Sequence, residues 1–189
     1  MIKSKIKHFN KKASSLKSKP DEIIKVLNLK QNQKIADIGA GGGYFSIRFA
    51  KQIGPQGKVY AVDIEKQFLQ QIKNLTEKSK IKNIETVLDN KLYETIDQNS
   101  LDWIFMRNVL HHINDRTDYL KNISKLLKPQ GKIAAIDYSD KKKGWFNKFF
   151  GHSLSPENFF EEAEKANLKL EKEYKFLSEQ FFFIFKPLF

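Results

Sequence analysis

Apolar and polar positions along this chain follow two rhythms, and the rhythms alternate. Short apolar runs that read as buried strands occur at "QKIADIG" (33–39), "GKVYAVDI" (57–64), "IETVLD" (84–89), "LDWIFMRNVL" (101–110) and "GKIAAIDY" (131–138). Between them lie helical stretches. "PDEIIKVLNL" opens with Pro20, and Asp21 and Glu22 fall in its first turn. "YFSIRFAKQIG" closes on Gly54, and "EKQFLQQIKNLTEKSK" spaces Phe68, Leu69, Ile72 and Leu75 at helical intervals. "DRTDYLKNISKLLKP" reads as a helix stopped by Pro129. "SPENFFEEAEKANL" starts with Ser155 as N-cap and Pro156 next to it. The C-terminal "KLEKEYKFLSEQFFFIFKP" reads as two strands joined by a short turn.

Strands alternating with helices predict βαβ units and an α/β, doubly wound, mainly parallel sheet with helices on both faces. Ligands of such sheets bind outside the carboxyl ends of the strands. Polar residues recur there: Asp37, Asp63 and Asp89 end the first three runs, Asn108 follows the fourth, and Asp137 is near the end of the fifth. Each alone reads as a turn or cap residue; several on one edge point to a shared cleft.

Four glycines fall within Gly39–Gly43, between the first strand and the helix that follows it. A dinucleotide fingerprint G-x-G-x-x-G fails, because Tyr44 or Ser46 stands at the third glycine position, and no P-loop motif is present. The turn keeps its physical use: close backbone approach and a helix start with free N–H groups. With Asp63 placed to accept from ribose hydroxyls, the predicted ligand has an anionic group and a ribose, with no obligatory pyrophosphate.

At 189 residues the chain is long enough for a sizeable core in one domain. The division expected is a basic N-terminal arm over residues 1–19 and a single domain over 20–189. No apolar run has transmembrane length and the N-terminus lacks a signal-peptide core, so the expected location is cytoplasmic. The absence of cysteine excludes disulfides, thiolate metal sites and a cysteine nucleophile, and no metal site is expected. The net charge is +12, but residues 1–20 hold seven lysines and no acid. The excess therefore belongs largely to the arm, which reads either as a solvated tail or as an anion-binding one.

The motifs together resemble the class I S-adenosylmethionine-dependent methyltransferases, closest to the small ubiquinone/menaquinone-biosynthesis-like group. "ADIGAGGGYF" resembles their D-x-G-x-G-x-G motif and "VYAVDI" their second. "VLDN" resembles the adenine-contacting segment, "SLDWIFMRNVLHHI" the fourth-strand segment, and "LKPQGKIAAIDY" their L-K-P-G-G motif with Gln130 at a glycine. The likeness covers roughly residues 20–189. It implies a Rossmann-like, seven-stranded sheet with an antiparallel C-terminal strand, matching "FFFIF".

The resemblance also implies a cofactor, S-adenosylmethionine, and a site for it. Gly39, Gly41 and Gly43 would let the methionine part lie against the backbone, and Asp37 would orient its ammonium. The backbone near Asn108 would face that ammonium too. Asp63 would hold the ribose and Asp89 the adenine edge. Tyr44 would either pack beside the cofactor or serve as a partly buried helix residue. His111 and His112 are candidate catalytic bases, with packing or capping as the plain alternative.

No D/N-P-P-Y/F tetrapeptide is present, which disfavours an exocyclic amine acceptor. "DKKKGWFNKFFGH" (140–152) interleaves lysines with aromatics. It reads as a lid with solvated lysines, a peripheral membrane contact or entry for a lipophilic acceptor, or a base-stacking surface. The function implied is methyl transfer to a small, lipophilic acceptor. The rivals are an RNA methyltransferase using the basic arm and a non-catalytic SAM-binding protein.

Overall fold

The computed structural model describes residues 2–140 and 154–188. The chain divides into two compact units, residues 1–97 and 98–189.

The first unit holds helices α1 (Ile2–Ala13), α2 (Pro20–Leu27), α3 (Tyr44–Ile53), α4 (Lys66–Lys78) and α5 (Leu92–Thr95). Its strands are β1 (Lys34–Ile38), β2 (Lys58–Asp63) and β3 (Ile84–Leu88), all parallel, in the order β3-β2-β1. Ile35 and Ala36 of β1 and Val59, Ala61 and Val62 of β2 are wholly buried. That explains runs without polar alternation, since strands covered on both faces need none. α3 packs on β1 and β2, and α4 on β2 and β3. Parallel register sets Asp37 opposite Ala61 and Asp63 opposite Leu88, so the carboxyl ends of the three strands are level.

The second unit holds β4 (Leu101–Arg107), α6 (Arg116–Ser124), β5 (Leu127–Tyr138), α7 (Pro156–Lys165), β6 (Leu168–Tyr174) and β7 (Gln180–Pro187). The order is β4-β5-β7-β6; β4 and β5 are parallel, and β7 runs antiparallel to both of its neighbours. "FFFIF" is buried on both faces. Phe181, Phe183 and Phe185 gather around Phe159 of α7, with ring centroids at 5.4, 6.5 and 5.9 Å, while Phe182 meets Tyr174 and Phe176. α6 and α7 are tied by Arg116, whose Nε and Nη2 donate to the two Glu162 oxygens at 2.5 and 2.8 Å.

The fold class is the expected one, a seven-stranded, mainly parallel sheet closing on antiparallel C-terminal pairings. Ser155 is the N-cap of α7, accepting from the Asn158 N–H, and Pro156 is its first residue. One boundary differs. α6 ends at Ser124 rather than at Pro129, and β5 begins at Leu127, paired with Leu101. The ring of Pro129 drives Lys128 out of helical geometry, and buried Leu126 and Leu127 pull the chain into the sheet early. Residues 141–152 of the lysine–aromatic segment lie outside the described residues. Their flanks are joined: Ser139 bridges to Leu154, and the Leu154 N–H donates to Tyr138 O at 2.9 Å. Among the described residues, no helix is long and apolar enough to cross a membrane.

Candidate functional site

In the first unit the glycine turn is built from alternating backbone geometry. Gly39, Gly41 and Gly43 have φ of 74°, 53° and 79°, a left-handed conformation that L side chains resist. The Gly39 and Ala40 N–H groups both donate to Val62 O at 2.9 Å, which sews the turn to the end of β2. Gly43 then sits at the N-cap of α3 with no capping side chain. The alternation D-x-G-x-G-x-G is thus a conformational requirement of every second residue.

The cap of α3 comes from β1. Ser46 Oγ donates to Asp37 Oδ2 at 2.5 Å, and the Ser46 N–H also bonds that carboxylate. Asp37 is buried, and burial pushes its carboxyl up to about 7, with the Ser46 hydroxyl opposing and the charge of Asp63 adding to the rise. A buried carboxyl in this state gains most from a cationic partner.

Asp63, at the end of β2, is buried and faces the same turn. It accepts from the Gly41 N–H at 2.8 Å and from the Glu65 N–H at 3.0 Å. Burial raises its pKa, opposed by the N–H groups of Glu65, Gly41 and Ile64. A carboxylate has about four lone-pair sites, so these backbone bonds still leave it able to accept from a ribose hydroxyl. Asp89 starts the short 3-10 turn after β3, where its charge helps raise the Tyr93 hydroxyl, second to burial. Tyr44 begins α3, and its hydroxyl accepts from Arg48 Nη1 at 3.0 Å; Arg48 in turn pairs with Asp21 at 2.5 Å. Asp37, the glycines, Tyr44, Asp63 and Asp89 therefore belong to one unit, at one end of three strands.

The second unit holds the other candidates. Asn108 follows β4 with φ 57°, a conformation that asparagine tolerates, and its N–H donates to Ile136 O at 2.9 Å. Its side-chain oxygen accepts from Gln180 Nε2, and Gln180 accepts from Arg107 Nη2 at 3.1 Å. Asp137, fully buried, takes three bonds: the His111 N–H at 3.2 Å, the Tyr138 N–H at 2.7 Å and His111 Nδ1 at 2.7 Å. His112 is exposed and rests against the His111 ring at 4.0 Å between centroids. The two histidines are thus unequal, one held by a buried carboxylate and one at the surface.

Sequence reasoning passed over Ser46, Gln180 and the pairing of Asp137 with His111. Ser46 lies in the first turn of the helix after the glycines, which was a signal. Nothing local marks Gln180, which reaches Asn108 only through the β5–β7 pairing. Among the described residues, no three His, Asp or Glu side chains are grouped to hold a metal ion.

A seven-stranded sheet with an alternate-glycine turn after β1 and an aspartate ending β2 defines a Rossmann-like fold of the methyltransferase type. The chain belongs to the methyltransferase-domain family, whose model matches residues 29–179. It is similar to the demethylmenaquinone methyltransferase of Listeria welshimeri, with 26% identity over 162 residues, 84% of this chain and 66% of that protein. The enzyme of the same name from Bacillus mycoides is 25% identical over 158 residues, with the same two coverages. The chain thus spans just under two-thirds of the length of these relatives. Among solved structures, a SAM-dependent methyltransferase from Aquifex aeolicus superposes with a TM-score of 0.86 at 22% identity, covering 98% of each chain. A geranyl diphosphate methyltransferase in complex with SAM gives 0.75 at 10% identity, covering 91% of this chain and 85% of its own.

Proposed function

We propose that this chain is an enzyme that transfers a methyl group from S-adenosylmethionine to a small lipophilic acceptor of the quinol or phenol class. The observation that carries the cofactor is the Asp63 carboxylate, buried and bonded to the Gly41 N–H of the glycine turn. The donor set fits the group: carboxylates at level strand ends, two of them raised by burial, suit a cationic ligand with ribose hydroxyls. The acceptor class is supported by the relatives, which are named for methylating demethylmenaquinone and match 84% of this chain. The family match runs through both units, which supports treating 20–189 as one methyltransferase domain preceded by the arm at 1–19.

When bound, S-adenosylmethionine supplies an electrophilic methyl on a sulfonium. Asp63 accepts from the ribose hydroxyls, Asp37 answers the ammonium and Asp89 accepts from the adenine amino group. The family resemblance gives the backbone near Asn108 a role toward the ammonium, and Tyr44, held by Arg48, would serve as a side wall. His111 is assigned as general base. With Nδ1–H donated to Asp137, its Nε2 is the basic atom and takes the proton that the acceptor loses. His112 packs against it and shields that ring. Alignment of donor and acceptor can supply on the order of 7–11 kcal/mol of the barrier, and a positioned base about 10²–10⁴-fold in rate.

The relatives favour a small acceptor over RNA. The test is incubation with methyl-labelled cofactor and two acceptors, a short-chain demethylated naphthoquinol and total RNA. The reading expects label in the quinol, at a rate insensitive to salt. Label in RNA, lost steeply with salt and on removing residues 1–19, would replace it.

A further inference from the structure

The lysine-rich arm has a built contact with the glycine turn. Asn10 Nδ2 of α1 donates to Gly42 O at 3.1 Å. A Cβ on Gly42 would lie 2.6 Å from Asn10 Cγ, closer than side chains come. Gly42 is not among the residues with positive φ, so its backbone would tolerate a side chain. It is bare because Asn10 occupies the space.

Phe9 stands beside Asn10, its Cδ2 3.9 Å from the place of a Gly41 Cβ, and its ring meets Phe68 edge-on at 5.7 Å. Ile6, one helical turn before Asn10, is buried. Lys5, Lys7 and Lys11 are exposed, so this charge points outward. The helix is secured below by Ser15 and Ser18, whose hydroxyls donate to Lys12 O at 2.9 and 2.5 Å, ahead of the buried Pro20. Phe9 nevertheless stays 44% exposed, leaving apolar surface next to the peptide whose N–H holds Asp63.

We propose that α1 is a wall of the methyl-donor site, in which Asn10 fixes the Gly42–Gly43 peptide of the glycine turn and Phe9 covers the bound donor. This rests on the reading that the glycine turn and Asp63 hold S-adenosylmethionine. Asn10 acts as a positioning residue: by anchoring the Gly42 carbonyl it holds the glycine turn whose Gly41 N–H, two peptide units earlier, orients the Asp63 carboxylate. Phe9 supplies the apolar cover, and undocking of α1 is the step that releases the donor or its product.

The test is a double-mutant cycle read by calorimetry with S-adenosylhomocysteine. The variants are Asn10→Ala, Gly42→Ala, both together, and Asp63→Ala as reference. Each single change at the contact weakens binding about tenfold, the scale of one lost hydrogen bond at an organised site. The pair weakens it no further than either alone, since both break the same contact. Backbone amide exchange over residues 2–13 slows when the ligand is added to the wild type and not when it is added to Asn10→Ala. Unchanged affinity in both single variants, with Asp63→Ala weakened, overturns the role of the arm and leaves the donor site standing. Unchanged affinity in Asp63→Ala overturns both.

Discussion

His111 Nδ1 lies 2.7 Å from Oδ1 of the fully buried Asp137, whose oxygens also accept two backbone N–H groups. With three donors converging on it, the carboxylate is the acceptor, and Nδ1 carries the hydrogen. One ring tautomer is thereby selected, and Nε2 becomes the basic atom. Replacing Asp137 by Asn presents an amide that can reverse the tautomer. The expected result is a fall in kcat of about 10²–10⁴-fold with KM for the methyl donor unchanged. His111→Ala should fall in the same range, whereas His112→Ala should lose far less. Steady-state kinetics over a pH series checks this, and equal loss in the two histidine variants would remove the distinction.

Asp37 makes stability depend on pH in an uncommon direction. Its carboxyl ordinarily titrates at 3.8, and burial raises it to about 7 in the folded chain. Between these values the folded state holds a proton that the unfolded state has released, so stability falls as pH rises through that window. Below it the contribution is fully present, and above about 7 it is gone. Urea midpoints of the ligand-free protein at pH 4.5 to 8 should carry this slope, and Asp37→Asn should remove it. The same variant should weaken binding of the donor, because the neutral amide answers its ammonium poorly. A slope unaltered by the substitution would assign the pH dependence elsewhere.

Phe159 tests the second unit. It is wholly buried and meets Phe181, Phe183 and Phe185. Phe159→Ala should cost about 3–5 kcal/mol in chemical denaturation, from lost transfer energy and an unfilled cavity. Phe159→Leu should cost distinctly less. Similar costs for both would mean that the cluster collapses around the gap.

The sheet was legible because buried parallel strands write themselves as apolar runs, as in "KIADI" and "KVYAVD", with carboxylates at their ends. The glycine turn was legible because its alternating left-handed residues leave only glycine free of strain. The start of β5 was not, since Leu126 and Leu127 continue a helical rhythm and only the pairing with Leu101 decides the matter. The Asp137–His111 pair could not be read as a pair, because 26 residues separate partners that only β4–β5 pairing brings together. The docking of α1 was also hidden. Its seven-lysine context reads as a solvated tail, while the decisive contact, Asn10 with Gly42, spans 32 residues and involves a residue without a side chain.

The most direct measurement of the central claim is calorimetry of wild type and Asp63→Ala with S-adenosylmethionine, alongside thermal unfolding of both without ligand. The account predicts one binding site in the wild type, at least about tenfold weaker binding in the variant, as loss of a charged hydrogen-bond partner implies, and similar unfolding temperatures. No heat from the wild type at millimolar ligand would contradict it. So would binding unaffected by the substitution, or a variant whose binding and folding are lost together.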